Sequence, residues 1–215
     1  MPFTTLITAP ELNRCLDDSG WIIVDCRFSL DNSDRGRKDY LTSHIPGAVY
    51  AHLDNDLSAP KIPGKTGRHP LPAVPVITET LSSWGIDSRA QVVIYDYSTG
   101  SMGVRLWWLL NWLGHTNVAM LDGGWADWQR SGLPTRAGDE CRPRRQFEPQ
   151  EVPDLWVSAA QVEYYRKDSG YILLDARSAQ RFRGELEPID PVAGHIPGAV
   201  SATCEFNVTP EGKFL

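Results

Sequence analysis

Cysteine is the side chain here best suited to covalent chemistry, and there are four: Cys15, Cys26, Cys141 and Cys204. None is spaced as Cys-x-x-Cys, and four thiols in 215 residues are too sparse for a disulfide framework. The expectation is separate, reduced thiols with no metal and no cofactor. A thiol attacks only as the thiolate, which needs a cation, a helix N-terminus or a ring of backbone N–H groups beside it. Cys26 lies inside Asp25-Cys26-Arg27, and the same motif recurs as Asp175-Ala176-Arg177, so a small buried side chain suffices at that place. Cys15 falls in the first expected helix and Cys141 in a proline-rich stretch. Cys204 follows His195-Ile196-Pro197-Gly198-Ala199-Val200 and is the most tempting nucleophile, although no glycine-rich loop follows it. His44 opens an identical hexapeptide, and a motif present twice argues that its imidazole ties down a Pro-Gly turn by hydrogen bonds. Gly64-Lys65-Thr66 imitates the end of a phosphate loop, but Ala59 stands where that loop requires glycine.

These residues belong to an internal repeat. Asp18 to Arg27 recurs as Asp168 to Arg177 at an offset of 150, and His44 to Val49 recurs as His195 to Val200 at an offset of 151. Upstream, Thr8-Ala9-Pro10-Glu11 is a capping box with proline just inside the helix, and Ser158-Ala159-Ala160-Gln161 stands at the same place in the second copy. Three features in one register imply a duplicated unit. Each copy opens with a capped helix, followed by a short Ile/Val/Leu run that reads as a buried strand and ends in Asp-x-Arg. The first copy then continues with a helix near Ile77 to Trp84, a strand Gln91 to Asp96, a helix Val104 to Leu113, a strand Val118 to Leu121 and a helix Trp125 to Gln129.

Strands alternating with helices predict an α/β fold with parallel sheets flanked by helices. Four prolines between Pro134 and Trp156 and a basic cluster without periodicity predict a linker over 135–156 between domains at 1–134 and 157–215. At an offset of 150, Leu215 corresponds to Lys65, so counterparts of the Asp96 strand and of Asp122-Gly123-Gly124 are missing. The second domain is therefore expected to be incomplete, with self-association through its half sheet.

Composition excludes several functions. With 21 Lys+Arg against 27 Asp+Glu the net charge is −6, which disfavours nucleic acid and anionic membranes as partners. Leu106 to Leu113 is the most apolar stretch and is far too short to span a bilayer, and the first residues show no basic, apolar leader pattern. A cytoplasmic protein is expected.

The paired Asp-x-Arg and His-Ile-Pro-Gly-Ala motifs resemble those of the two-domain rhodanese family, the thiosulfate and 3-mercaptopyruvate sulfurtransferases. So do Val93-Ile94-Tyr95-Asp96, Arg105-Leu106-Trp107-Trp108, Leu113-Gly114-His115 and Leu121-Asp122-Gly123-Gly124-Trp125. The resemblance implies tandem rhodanese-like domains, and a cysteine in the second that takes sulfane sulfur from a small anionic donor. The resulting persulfide passes its sulfur to cyanide or another thiophilic acceptor. A loop that wraps N–H groups around one sulfur at a helix N-terminus stabilises both the thiolate and the persulfide. In the first copy Asp96 occupies the equivalent place, as in the family's non-catalytic domain, and a carboxylate carries no sulfane sulfur. The nucleophile is thus absent from these 215 residues, which are expected to be inactive alone.

Arg181 matches the family's donor-binding arginine, whose fork suits a sulfonate or carboxylate; the alternative is a surface arginine paired with Glu185. Arg183 is a candidate for a second positive charge. Asp190 stands where mercaptopyruvate-type members carry another arginine, which implies thiosulfate as donor. The resemblance leaves Asp25, Arg27, His44, Asp175, Arg177 and His195 as structural motif residues. An Asp–His–Ser relay proposed for some members corresponds here to His44, with Asp34 as the acid. Two other readings stand: a binding or regulatory module around Asp96, and a fragment of a longer enzyme.

Overall fold

The structure, a computed structural model, describes residues 2–215. Contacts divide it into two units, one running to Val152 and including Glu211–Lys213, the other taking Pro153–Pro210 and Phe214–Leu215.

In the first unit the chain forms β1 (Leu6–Ile7), α1 (Ala9–Asn13), β2 (Trp21–Asp25), α2 (Ser33–Thr42), β3 (Val49–Tyr50), α3 (Val74–Ser83), β4 (Gln91–Tyr95), α4 (Val104–Trp112), β5 (Val118–Leu121) and α5 (Gly124–Arg130). The strands pair in parallel in the order β1-β5-β4-β2-β3. All five residues of β4 are buried, as a strand covered by helices on both faces requires, and that is why its sequence is apolar from Val92 to Tyr95 without alternating. Parallel pairing places every strand's carboxyl end on one edge of the sheet, where an open α/β sheet presents its site. Asp25, Asp96 and Asp122 all emerge there.

Local chemistry fixes the element ends. The Glu11 carboxylate accepts from both the N–H and the hydroxyl of Thr8, closing the capping box before α1. Helix α2 has no apolar periodicity and buries only Gly36 and Tyr40, four residues apart. A Cβ on Gly36 would fall 1.8 Å from the Arg27 carbonyl oxygen, so this helix is seated by glycine against the turn that follows β2.

Residues 135–152 form no helix or strand, yet they are bonded along the first unit. Arg136 exchanges backbone hydrogen bonds with His44 at 2.8 and 2.9 Å, and Arg142 donates to the Gly47 carbonyl at 3.0 Å. Phe147 is buried, and its N–H reaches Ser82 Oγ at 3.1 Å.

The second unit contains α6 (Ala159–Tyr165), β6 (Leu174–Asp175), α7 (Ala179–Phe182), β7 (Val200–Ser201) and a 3-10 turn at Cys204–Asn207. Ser158 and Gln161 cap α6 reciprocally. Leu174 pairs Val200 and Asp175 pairs Ser201, repeating the Val24–Val49 and Asp25–Tyr50 pairs of the first unit. The environments differ, since Val24 is fully buried whereas Leu174 is 60% exposed. No helix among the described residues is long and apolar enough to cross a membrane.

Candidate functional site

The end of β2 is locked by its own Asp-x-Arg. Asp25 accepts from the Arg27 backbone N–H at 2.9 Å, from Nε at 2.9 Å and Nη2 at 2.7 Å, and from the Tyr95 hydroxyl at 2.7 Å. Both partners are buried, and the guanidinium lies 4.5 Å from the Trp125 ring. Burial nonetheless raises the Asp25 pKa above its ordinary value, against the opposing pull of Arg27. Arg27 Nη2 also donates to the Ser43 carbonyl, just ahead of His44, at 2.7 Å.

The second unit repeats the geometry. Arg177 holds Asp175 through its backbone N–H, Nε and Nη2, and its Nη2 donates to the Gly194 carbonyl, just ahead of His195, at 2.6 Å. His44 Nδ1 is bonded to the Tyr40 carbonyl at 2.8 Å with the rings stacked, and His195 Nδ1 to the Phe182 carbonyl at 2.7 Å with the rings stacked. Both imidazoles therefore anchor a helix end to the Pro-Gly turn. Asp34 is exposed in the first turn of α2, and the carboxylate beside His44 Nε2 is that of Glu140, 3.7 Å away.

At the end of β4, Asp96 is 3% exposed, and its carboxylate sits in a ring of backbone donors. Oδ1 accepts from Ser98 at 3.1 Å and Gly100 at 3.0 Å, while Oδ2 accepts from Met102 at 2.8 Å and Gly103 at 3.1 Å. Gly100 takes φ +76°, the left-handed conformation that lets the loop curl its N–H groups inward. Helix α4 begins directly after the loop, so its positive end faces the same carboxylate.

In the second unit, Arg181 and Arg177 converge on Glu187. Glu187 accepts from Arg181 Nε at 3.0 Å and Nη2 at 2.8 Å, from Arg177 Nη1 at 3.4 Å, and from the N–H groups of Ile189 and Asp190. The Arg181 hydrogen bond, followed by that of the Asp190 N–H, brings its pKa down to about 2. Arg181 Nη2 also reaches Asp190 at 2.7 Å. Glu185 pairs with Arg183 instead, at 2.7 and 2.8 Å. Glu187 is a site residue that sequence reading missed; it lies six and ten residues from its arginines, a spacing with no periodic signature.

None of the thiols has a cradle of this kind. Burial, then the charges of Asp25, Asp96 and Asp56, push the Cys26 pKa well above the ordinary thiol value. Burial also raises that of Cys15. Cys141 and Cys204 are exposed, the latter opening a 3-10 turn. Among the described residues no group of His, Cys, Asp and Glu gathers to hold a metal.

Comparison with known proteins agrees with this arrangement. The rhodanese-like domain model matches residues 8–131. A probable 3-mercaptopyruvate sulfurtransferase of Pseudomonas aeruginosa is 44% identical over the whole chain, which covers 76% of that protein. A putative thiosulfate sulfurtransferase of Mycobacterium tuberculosis is 37% identical, over 98% of this chain and 74% of its own. Among solved structures, the 3-mercaptopyruvate sulfurtransferase of Leishmania major superposes with a TM-score of 0.86 at 29% identity, over 99% of this chain and 58% of that one. Its counterpart from Escherichia coli gives 0.84 at 28% identity, over 99% and 79%.

Proposed function

This chain belongs to the rhodanese family, and from that membership we propose that it serves sulfane-sulfur transfer, from thiosulfate or 3-mercaptopyruvate to a thiophilic acceptor such as cyanide. In this reading residues 1–134 form a non-catalytic rhodanese-like domain, 135–156 a linker and 157–215 part of a catalytic-type domain. The nucleophilic cysteine loop is not among these residues, so they are inactive alone. With thiosulfate the reaction is a displacement. A thiolate attacks the outer sulfur, the donor's S–S bond breaks, sulfite leaves with the electron pair, and the persulfide then gives its outer sulfur to cyanide.

The observation that carries the reading is the Asp96 loop, a ring of four N–H donors at the carboxyl end of the central strand, built to hold one anion. Filled by a carboxylate in the first unit, it supports a non-catalytic role there. Arg181 supplies the donor-binding fork. Its Nε edge stays with Glu187, which is 5% exposed, while the donor's oxyanion replaces the more exposed Asp190 at Nη2. By the family resemblance, Asp190 in place of the second arginine of mercaptopyruvate-type members favours thiosulfate as donor. Free thiols fit a cytoplasmic setting.

The test is to extend the chain after Leu215 with the remaining segment of the Pseudomonas relative and measure sulfurtransfer to cyanide. Arg181→Ala in the extended protein should raise KM for thiosulfate by about 10-fold or more, the worth of a charge-assisted hydrogen bond, with a smaller change in kcat. An unchanged KM would overturn the assignment of Arg181.

A further inference from the structure

The His-Ile-Pro-Gly-Ala-Val turn occurs twice with one geometry, and only one copy is covered. In the first unit residues 136–142, which form no helix, cross it. Arg136 exchanges backbone hydrogen bonds with His44, and Arg142 donates to the Gly47 carbonyl at 3.1 and 3.0 Å. Between them the Glu140 carboxylate accepts the Gly47 N–H at 3.3 Å and lies 3.7 Å from His44 Nε2. The second turn is built to the same plan. The Ala199 N–H bonds the Ile196 carbonyl at 2.9 Å as Ala48 does Ile45 at 3.0 Å, and Gly198 takes φ +92° where Gly47 takes +75°. Yet His195 and Gly198 are exposed, and among the described residues no segment bonds to their N–H or carbonyl groups.

Completing the second sheet does not fill that place. Of the first turn, the core takes Ile45 and Ala48, both fully buried, and the Tyr95 hydroxyl meets the Ile45 N–H. The backbone groups of His44 and Gly47 are met by residues 136–142 alone. At the same repeat offset, counterparts of Glu140 and Arg142 would fall beyond the end of the Pseudomonas relative, 76% of which this chain covers.

We propose that the His195–Val200 turn is a docking surface for a non-helical peptide segment of another chain, one carrying Glu-x-Arg as Glu140-Cys141-Arg142 does. The peptide's glutamate takes the Gly198 N–H and faces His195 Nε2, its arginine takes the Gly198 carbonyl, and the residue four before the glutamate pairs with the His195 backbone. The ring stacked on His195 is that of Phe182, whereas the Tyr40 hydroxyl stacked on His44 also accepts the Glu140 N–H at 3.0 Å, so the second turn holds its peptide by one contact fewer. The inference rests on the internal repeat and is independent of the sulfurtransferase reading, since no readout below involves sulfur transfer.

The probe is a synthetic peptide of residues 135–146 with Cys141→Ser, titrated into the 15N-labelled chain and followed by NMR. The Gly198 and His195 amides should move saturably, while Gly47, already covered by residues 136–142, should stay. Replacing the peptide's glutamate by alanine should weaken binding by about 10-fold, the worth of one charge-assisted hydrogen bond. A scrambled peptide should leave Gly198 unmoved. No movement of Gly198, movement of Gly47 in its place, or an equal effect of the scrambled peptide would overturn the proposal. The same titration of the chain extended after Leu215 separates this turn from surface that a completed sheet would cover. The Gly198 shift should persist there, and its loss would refute the docking surface.

Discussion

Replacing Arg27 by Met strips the charge from one partner of a buried pair while keeping most of the volume, and the repeat provides an internal control in Arg177→Met. In the first unit the pair is 2% and 0% exposed, and Asp25 would retain only the Tyr95 hydroxyl and the Arg27 backbone N–H. Removing one partner of such a pair costs about 3–5 kcal/mol, because the other charge is left uncompensated. In the second unit the same pair is 28% and 13% exposed, so water can replace the lost partner and the expected cost is about 1 kcal/mol. Urea unfolding followed by tryptophan fluorescence, to which the first unit contributes seven of the chain's eight tryptophans, measures the first cost. Hydrogen exchange of the peptides over β2 and β6 reads the two units separately.

The pH dependence follows from the sign of the Asp25 shift. Burial raises its folded pKa above 3.8 even with Arg27 present, and losing Arg27 raises it further. Between the unfolded and folded values the folded chain holds a proton that the unfolded chain releases, so stability falls as pH rises through that window. The Arg27→Met deficit should therefore shrink on acidification toward about pH 4 and reach its full size above the folded pKa. Equal costs in the two units, or a deficit that grows on acidification, would refute the argument.

Gly36→Ala places a methyl 1.8 Å from the Arg27 carbonyl oxygen, a backbone atom that cannot swing away, so α2 must shift. The expected loss is about 3 kcal/mol or more, measured by urea unfolding. In the second unit, Glu187 has its pKa lowered from 4.5 to about 2, so the order it confers on Arg181 is complete above pH 4.5 and lost as pH falls toward 2. Exchange protection over 187–190 should follow that window and, in Glu187→Gln, should be lower at neutral pH and lose this dependence.

The strands and helices that bury a face were legible in the sequence, because burial leaves apolar runs and periodicity. Strand β5 was read at its observed bounds, β4 was read one residue long, and α4 ended one residue early. Helix α2 was missed because it buries only a glycine and a tyrosine, and β1 and β3 because two residues carry no pattern. Asp96 was legible as a strand end, but its cradle was not. The four donors are backbone groups, and only Gly100 and Gly103 hint at the curl. The Glu187 node was invisible for a related reason, since its five donors come from side chains and turn amides brought together by folding.

The central claim, a sulfurtransferase chain whose four cysteines do not supply the nucleophile, is tested most directly by cyanide-dependent turnover with thiosulfate. The 215-residue chain should give no rate above a protein-free blank, and the chain extended with its relative's remaining segment should turn over. Turnover by the unextended chain that disappears in Cys204→Ala would contradict the account.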